Sequence, residues 1–268
     1  VTDLDELLGA KEIQPGAKPL RLVIGGPPGI GKTWLAATAE HVPELSPAFI
    51  LFREGGVDGI DSLPEPRPRY ADCESWDQLF KAFWHFAESL KKGECPYKTV
   101  ILDTYSEAAA EQILAEGRKR AGITNVWDNK EFTISQAEYV NVNRKMRMLT
   151  KNLFSLPINV IVTCHTKTED ITAGDRVVGQ REVFAVSEGS REPLERLSSV
   201  AGFMRFRKVK VGEDEKGVAI NEDKRCFCTI PNKSYYAKAR GSAANIGDMV
   251  DPTMQKIMDA ILGRENAD

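Results

Sequence analysis

The chain has 268 residues, 42% hydrophobic and 28% charged, with a formal net charge of −3. That length suffices for one large α/β core, and the slight acidity excludes a globally basic nucleic-acid binder while leaving local phosphate contacts open. An odd count of five cysteines and the start "VTDLDELLGA", which is no secretory leader, predict a reduced, cytoplasmic protein; His41, His85 and His165 are too scattered for a zinc site, and no apolar run nears the ~20 residues of a membrane span, so no membrane partner is expected.

Taken in chain order, apolar runs alternate with helical patterns, which predicts an α/β fold with a mainly parallel sheet flanked by helices. After an N-terminal arm (1–19), strands are expected at 20–25, 48–52, 99–103 and 158–164, and helices at 32–40, 76–91, 106–121 and 135–154. Two segments show no period. One is 122–130; the other runs from Thr166 to Arg191, so that 166–190 reads as a mobile loop of a length usually functional or disordered. Within a segment at 200–240, apolar runs at 200–211 and 225–230 flank the polar "GEDEKG" and predict a hairpin. A last helix at 251–263 follows from the stripe Met254, Ile257, Met258, Ile261 and Leu262, with Asp251 as N-cap and Pro252 in the first helical position. Without a repeat or a domain-sized linker, 1–268 reads as a single domain.

The stretch "GPPGIGKT" (Gly26, Pro27, Pro28, Gly29, Ile30, Gly31, Lys32, Thr33) follows a strand and opens a helix, the context that confirms a phosphate loop (Walker A). Glycines let backbone N–H groups converge on phosphate oxygens. These residues and Trp34 are therefore expected to bind ATP. Lys32 should reach the β- and γ-phosphates, and Thr33 should ligate Mg2+. Asp103, at the end of the strand in "TVILDTYSE", is the second expected magnesium ligand; its bland alternative is a strand-end carboxylate that caps the next helix.

In many ATPases the residue after this aspartate is a glutamate that prepares the attacking water; here it is Thr104. Glu107, Glu111 and Glu54 compete for that task, and Glu54, in "FILFREGG", stands where open α/β sheets present groups to ligands. That segment resembles the strand carrying the catalytic glutamate of RecA-type recombinases, and "VILDTYSE" resembles their Asp-Ser/Thr strand end, whereas the phosphate loop alone looks more like AAA+ ATPases. The carboxylate positions carry more weight, being tied to mechanism. The resemblance implies a RecA-like core with Glu54 as base, His165 (with Thr163 as second choice) as γ-phosphate sensor, and Lys238 and Arg240 of "YYAKARGS" as cations inserted into a neighbour's site. The alternatives are a strand-end histidine with one hydrogen bond and two solvated surface cations.

The whole order is similar to compact phage-encoded RecA-core proteins of single-strand annealing and recombination. That likeness implies an oligomeric ring or filament, single-stranded DNA as partner, and contact with a single-strand binding protein. DNA-binding candidates are Arg118, Lys119, Arg120, Lys130, Lys167, Arg176 and Arg181, with Trp127, Phe132 and Phe184 as stacking platforms. Glu169, Asp170, Asp175 and Glu182 interrupt that charge. Two other readings stay open: an AAA+-like helicase loader acting on a protein, and a nucleotide-binding switch or small-molecule kinase.

Overall fold

Every residue of β1 (Arg21–Gly26) is buried, as a strand at the centre of a two-sided sheet must be. The computed structural model describes residues 18–51, 60–73, 75–122, 134–213 and 218–264. β1 pairs in parallel with β5 (Asn159–Ala173) on one side and β7 (Val200–Glu213) on the other. Beyond β5 come β4 (Thr99–Leu102), β2 (Ala48–Leu51) and β3 (Arg69–Ala71), so six strands in the order β7-β1-β5-β4-β2-β3 run parallel. The far edge is antiparallel: β8 (Ala219–Cys228) folds back on β7, and β10 (Met249–Val250) pairs with β8. A short β9 (Lys238–Ala239) pairs with the first residues of β7. The expected α/β architecture, parallel sheet, late hairpin and final helix are all present.

The period of two along the strands sorts the core into two halves. Leu22, Ile24, Ile50, Ile101 and Ile161 face α1 (Lys32–Ala37) and α6 (Met254–Leu262), where Leu35, Ala36, Met254 and Ile257 complete a buried cluster. Val23, Leu51, Val100, Leu102, Val160 and Val162 point the other way. They meet α2 (Trp76–Lys92), α3 (Tyr105–Ala121) and α4 (Gln136–Ser155) through Leu79, Phe83, Phe86, Ala108, Met146 and Leu149.

Local signals set the helix ends. Ser75, Thr104 and Ser135 each accept a backbone N–H two or three residues into their helix, and Ser135 forms a capping box with Glu138. Gly93, Gly122 and Gly263 close α2, α3 and α6 in the left-handed conformation. α6 is capped by Thr253, not Asp251, because Thr253 is extended (φ −131°) and its hydroxyl accepts from Lys256 N at 3.2 Å. Pro252 therefore precedes the helix.

The largest correction falls between Thr166 and Arg191. β5 runs on to Ala173 and pairs antiparallel with β6 (Arg176–Phe184). The chain then forms α5 (Glu188–Leu197). The hairpin stands clear of the core, so both its faces are mostly polar and no apolar alternation marks it. Its surviving signal is the two-residue turn at Gly174 and Asp175, with Gly174 at φ 62°. Arg21 explains how the turn from α4 into β5 is held. Its guanidinium donates to the carbonyls of Phe154 (2.7 Å), Ile158 (2.6 Å) and Leu156, closing the end of α4. Burial lowers its pKa to about 10.

Candidate nucleotide site

The phosphate loop joins β1 to α1 at the carboxyl edge of the sheet. Gly29 (φ 74°) and Gly31 (φ 98°) hold left-handed turns that a side chain would strain. Lys32 is buried beneath the loop, and its ammonium donates to the carbonyls of Gly26 (3.0 Å) and Pro27 (2.9 Å). It also lies 3.2 Å from Nδ1 of His165. An ammonium has no acceptor, so in that contact Nδ1 is the bare nitrogen and the ring proton sits on Nε2.

Strand order brings the other groups to this point. β5 lies between β1 and β4, and residues 163 and 165 of β5 share one face. In register, Thr163 stands beside Ile24 and His165 beside Gly26. Asp103, one residue past β4, is only 1% exposed. One carboxylate oxygen accepts from Thr33 Oγ1 at 2.8 Å, and the other accepts from Thr163 Oγ1. Behind them, Ser106 Oγ accepts from the His165 N–H at 2.7 Å and touches Cys164 Sγ at 3.2 Å. Burial pushes the Cys164 thiol up to about 12, so it is no nucleophile at neutral pH.

The donor set fits magnesium. Thr33 and Asp103 present two hard oxygens side by side, and Mg2+ takes one or two protein oxygens, completing its shell with water and phosphate. Among the described residues no group of three or more histidine, cysteine or acidic side chains could hold a metal by itself. A magnesium ion here would therefore be shared with a phosphate chain.

The remaining candidates scatter. Thr104, standing where a glutamate might, is buried and caps α3 by accepting from Glu107 N at 3.2 Å. Glu54 lies outside the described residues, as do Lys130, Trp127 and Phe132. Lys238 is not an extended cation. It is buried, and its ammonium donates to the carbonyls of Glu195 and Arg196 at the end of α5. Burial, with Arg240 nearby, lowers its pKa to about 8. Arg240 is exposed and lines a cavity of about 850 Å³ with Pro157, Ser199 and Lys98, which precede β5, β7 and β4. Six residues of β1 separate that edge from the phosphate loop, roughly 20 Å of strand.

Arg118, Lys119 and Arg120 occupy the last turn of α3, where cations complement the helix dipole, and Arg120 pairs with Glu138 at 3.1 Å. On the β5–β6 hairpin, Glu169 gathers Lys167 (3.3 Å), Arg181 (3.9 Å) and Arg191 of α5 (3.0 Å). These contacts, Arg191 foremost, hold its carboxyl below the usual range. Arg176 is exposed at the hairpin tip. Phe184 is no platform for a base, being fully buried and stacked on Phe203 at 5.1 Å. Its ring also explains Gly25, where a Cβ would come within 2.7 Å of Phe184 Cε1.

Sequence reading missed Arg225 of β8. Its Nη1 lies 2.9 Å from where a Cβ on Gly31 would stand, and its guanidinium sits 6.0 Å above the Trp34 ring. The contact spans 194 residues, and no local pattern signals it.

A sheet of this order, with a lysine under the glycine loop and a threonine–aspartate pair beside it, defines a P-loop ATPase-type domain. The chain belongs to the AAA domain family, whose profile matches residues 18–241. Among curated proteins none matches it. No helix among the described residues is long and apolar enough to cross a membrane.

Proposed function

We propose that the protein binds ATP with Mg2+, hydrolyses it as an oligomer, and couples hydrolysis to single-stranded DNA in recombination or strand annealing of the phage type. The observation that carries the ATPase part is the convergence of Lys32, His165, Thr33, Thr163 and Asp103 from two adjacent strands, β4 and β5, and the phosphate loop. In this reading Lys32 leaves the Gly26 and Pro27 carbonyls for the β- and γ-phosphates. Thr33 and Asp103 hold the metal, which neutralises charge on the phosphates and leaving group. His165 reports the γ-phosphate through its contact with Lys32. Glu54, three residues past β2 in the sequence, is assigned the water by that position and by the resemblance.

Support for DNA comes from the resemblance and from two hairpins, β5–β6 and β7–β8. β5 and β7 lie on either side of β1, whose carboxyl end carries the phosphate loop. Arg240 lies at the opposite edge from its own phosphate loop, so a role at a nucleotide requires a neighbouring subunit. A single-strand binding protein is a further partner in this reading.

A second reading is favoured by one observation. Lys167 and Arg181 lean on the single carboxylate of Glu169, while Val177 and Val178 on the same hairpin are 58% and 63% exposed. That surface suits a protein partner better than a polyanion, as in a helicase loader.

ATP turnover with and without single-stranded DNA, across protein concentration, separates the two. Strong stimulation with a steep concentration dependence is expected. Turnover indifferent to DNA removes the DNA reading and leaves the protein partner. Glu54→Gln should bind ATP and lose turnover, and normal turnover would remove Glu54 as base.

A further inference from the structure

We infer that Arg225, on β8, holds the α- and β-phosphates of the nucleotide in the same subunit; this rests on the ATP-binding reading above. Four observations support it. The guanidinium lies against the loop itself, since a Cβ at Gly31 would be 2.9 Å from its Nη1. Gly31 thus serves two needs at once: a φ of 98° and room for an arginine. The Trp34 ring, 6.0 Å below, gives the guanidinium a face to rest on.

Charge accounting points the same way. Three neighbouring cations of the β7–β8 ladder have acidic partners, Arg205 with Glu182, Arg207 with Asp248 at 2.6 Å, and Lys224 with Glu222 at 2.8 Å, while Lys208 of β7 has none within ion-pair distance among the described residues. Among the described residues Arg225 has no acidic partner within ion-pair distance, although it is exposed. An arginine with no carboxylate partner among the described residues, lying beside a phosphate loop, is disposed to take a phosphate, for which its planar fork is suited.

Topology supplies the fourth observation. Asp103 and His165 lie on the β5–β4 side of β1, and β8 lies on the β7 side. With the metal and γ-phosphate held on the first side, the rest of the nucleotide leaves the loop toward β7 and β8. Arg225 therefore meets the phosphates common to ATP and ADP, and not the one that is lost.

The test is titration of wild type, Arg225→Gln and Arg225→Lys with ADP and with a non-hydrolysable ATP analogue, each with Mg2+. One charge-assisted hydrogen bond corresponds to an affinity loss of about ten- to a hundredfold. The expected result for Arg225→Gln is the same loss, within that range, for both nucleotides, with Arg225→Lys in between. Arg225 is exposed, so both variants should keep the wild-type circular dichroism and melting temperature. Unchanged affinity for both ligands overturns the inference. A loss confined to the triphosphate also overturns it, by moving Arg225 to the γ end. If wild type binds neither nucleotide, the ATP-binding reading falls and takes this one with it.

Discussion

Replacing Asp103 by Asn removes one negative charge and almost no volume, at a residue 1% exposed between two hydroxyls. In wild type Thr33 and Thr163 both donate to the carboxylate. Asparagine keeps one acceptor oxygen, and the hydroxyl facing its NH2 can rotate to accept. Both bonds survive in neutral form, losing about 1 kcal/mol each of charge assistance. Relief from burying a charge offsets part of that loss. The apo variant should therefore be destabilised by no more than about 2 kcal/mol, a fall of about 4–8 °C in a chain of this size. Ligand response should change far more. Saturating nucleotide at about 100 Kd adds about 2.7 kcal/mol of stability. In wild type Mg2+ should increase that gain, and in Asp103→Asn the magnesium increment should vanish. Turnover should fall at least a hundredfold, since metal stabilisation of transferring phosphate is worth several kcal/mol. Thermal melts with nucleotide, with and without Mg2+, and a phosphate-release assay read both effects. An unchanged magnesium increment, or turnover within fivefold of wild type, would refute the assignment of Asp103 to the metal.

Gly202→Ala in β7 places a Cβ 2.3 Å from Cζ of the fully buried Phe227, and overpacking of this kind costs about 1–3 kcal/mol. Denaturant unfolding should show that loss, and adding Phe227→Leu should recover part of it; purely additive losses would count against the clash. Lys238, with a folded pKa near 8 against an ordinary 10.5, binds fewer protons folded than unfolded between those values. Its stability contribution therefore improves as pH rises from about 8 to 10.5, by at most about 3 kcal/mol. The stability difference between wild type and Lys238→Met should stay constant below pH 8 and shift in favour of wild type above it; a flat difference to pH 10 means the ammonium is better solvated than its surroundings imply.

Much of the site was legible because its requirements are local. The glycine loop needs left-handed turns at Gly29 and Gly31, and only certain residues supply them. Asp103 follows four buried strand residues, Thr99 to Leu102, because a carboxylate at a sheet edge needs a buried strand to carry it. Thr104 looked like a missing glutamate and is the cap that starts α3, a role equally visible in its hydroxyl and in Glu107 three residues on. The failures were long-range. A spacing of two in "KAR" puts Lys238 and Arg240 on one face but does not say that α5 covers the first of them. α5 itself was hidden by Pro193, which breaks the usual helical pattern at a point where the helix is short enough to tolerate it. Arg225 had no signal at all, because its meaning depends on β8 lying two strands from β1.

From Asn159 to Ala173 the backbone of β5 is a single rod. Its first half is clamped between β1 and β4, and its second half projects with β6, fastened to α5 by Glu169 and Arg191. His165 sits at the point where the clamp ends. The only irregularity in the ladder, between Ile171 and Thr172, lies close to the tip. The tip of the hairpin and the edge of the phosphate loop are thus two ends of one strand, joined through His165 without a break in the ladder before Ile171.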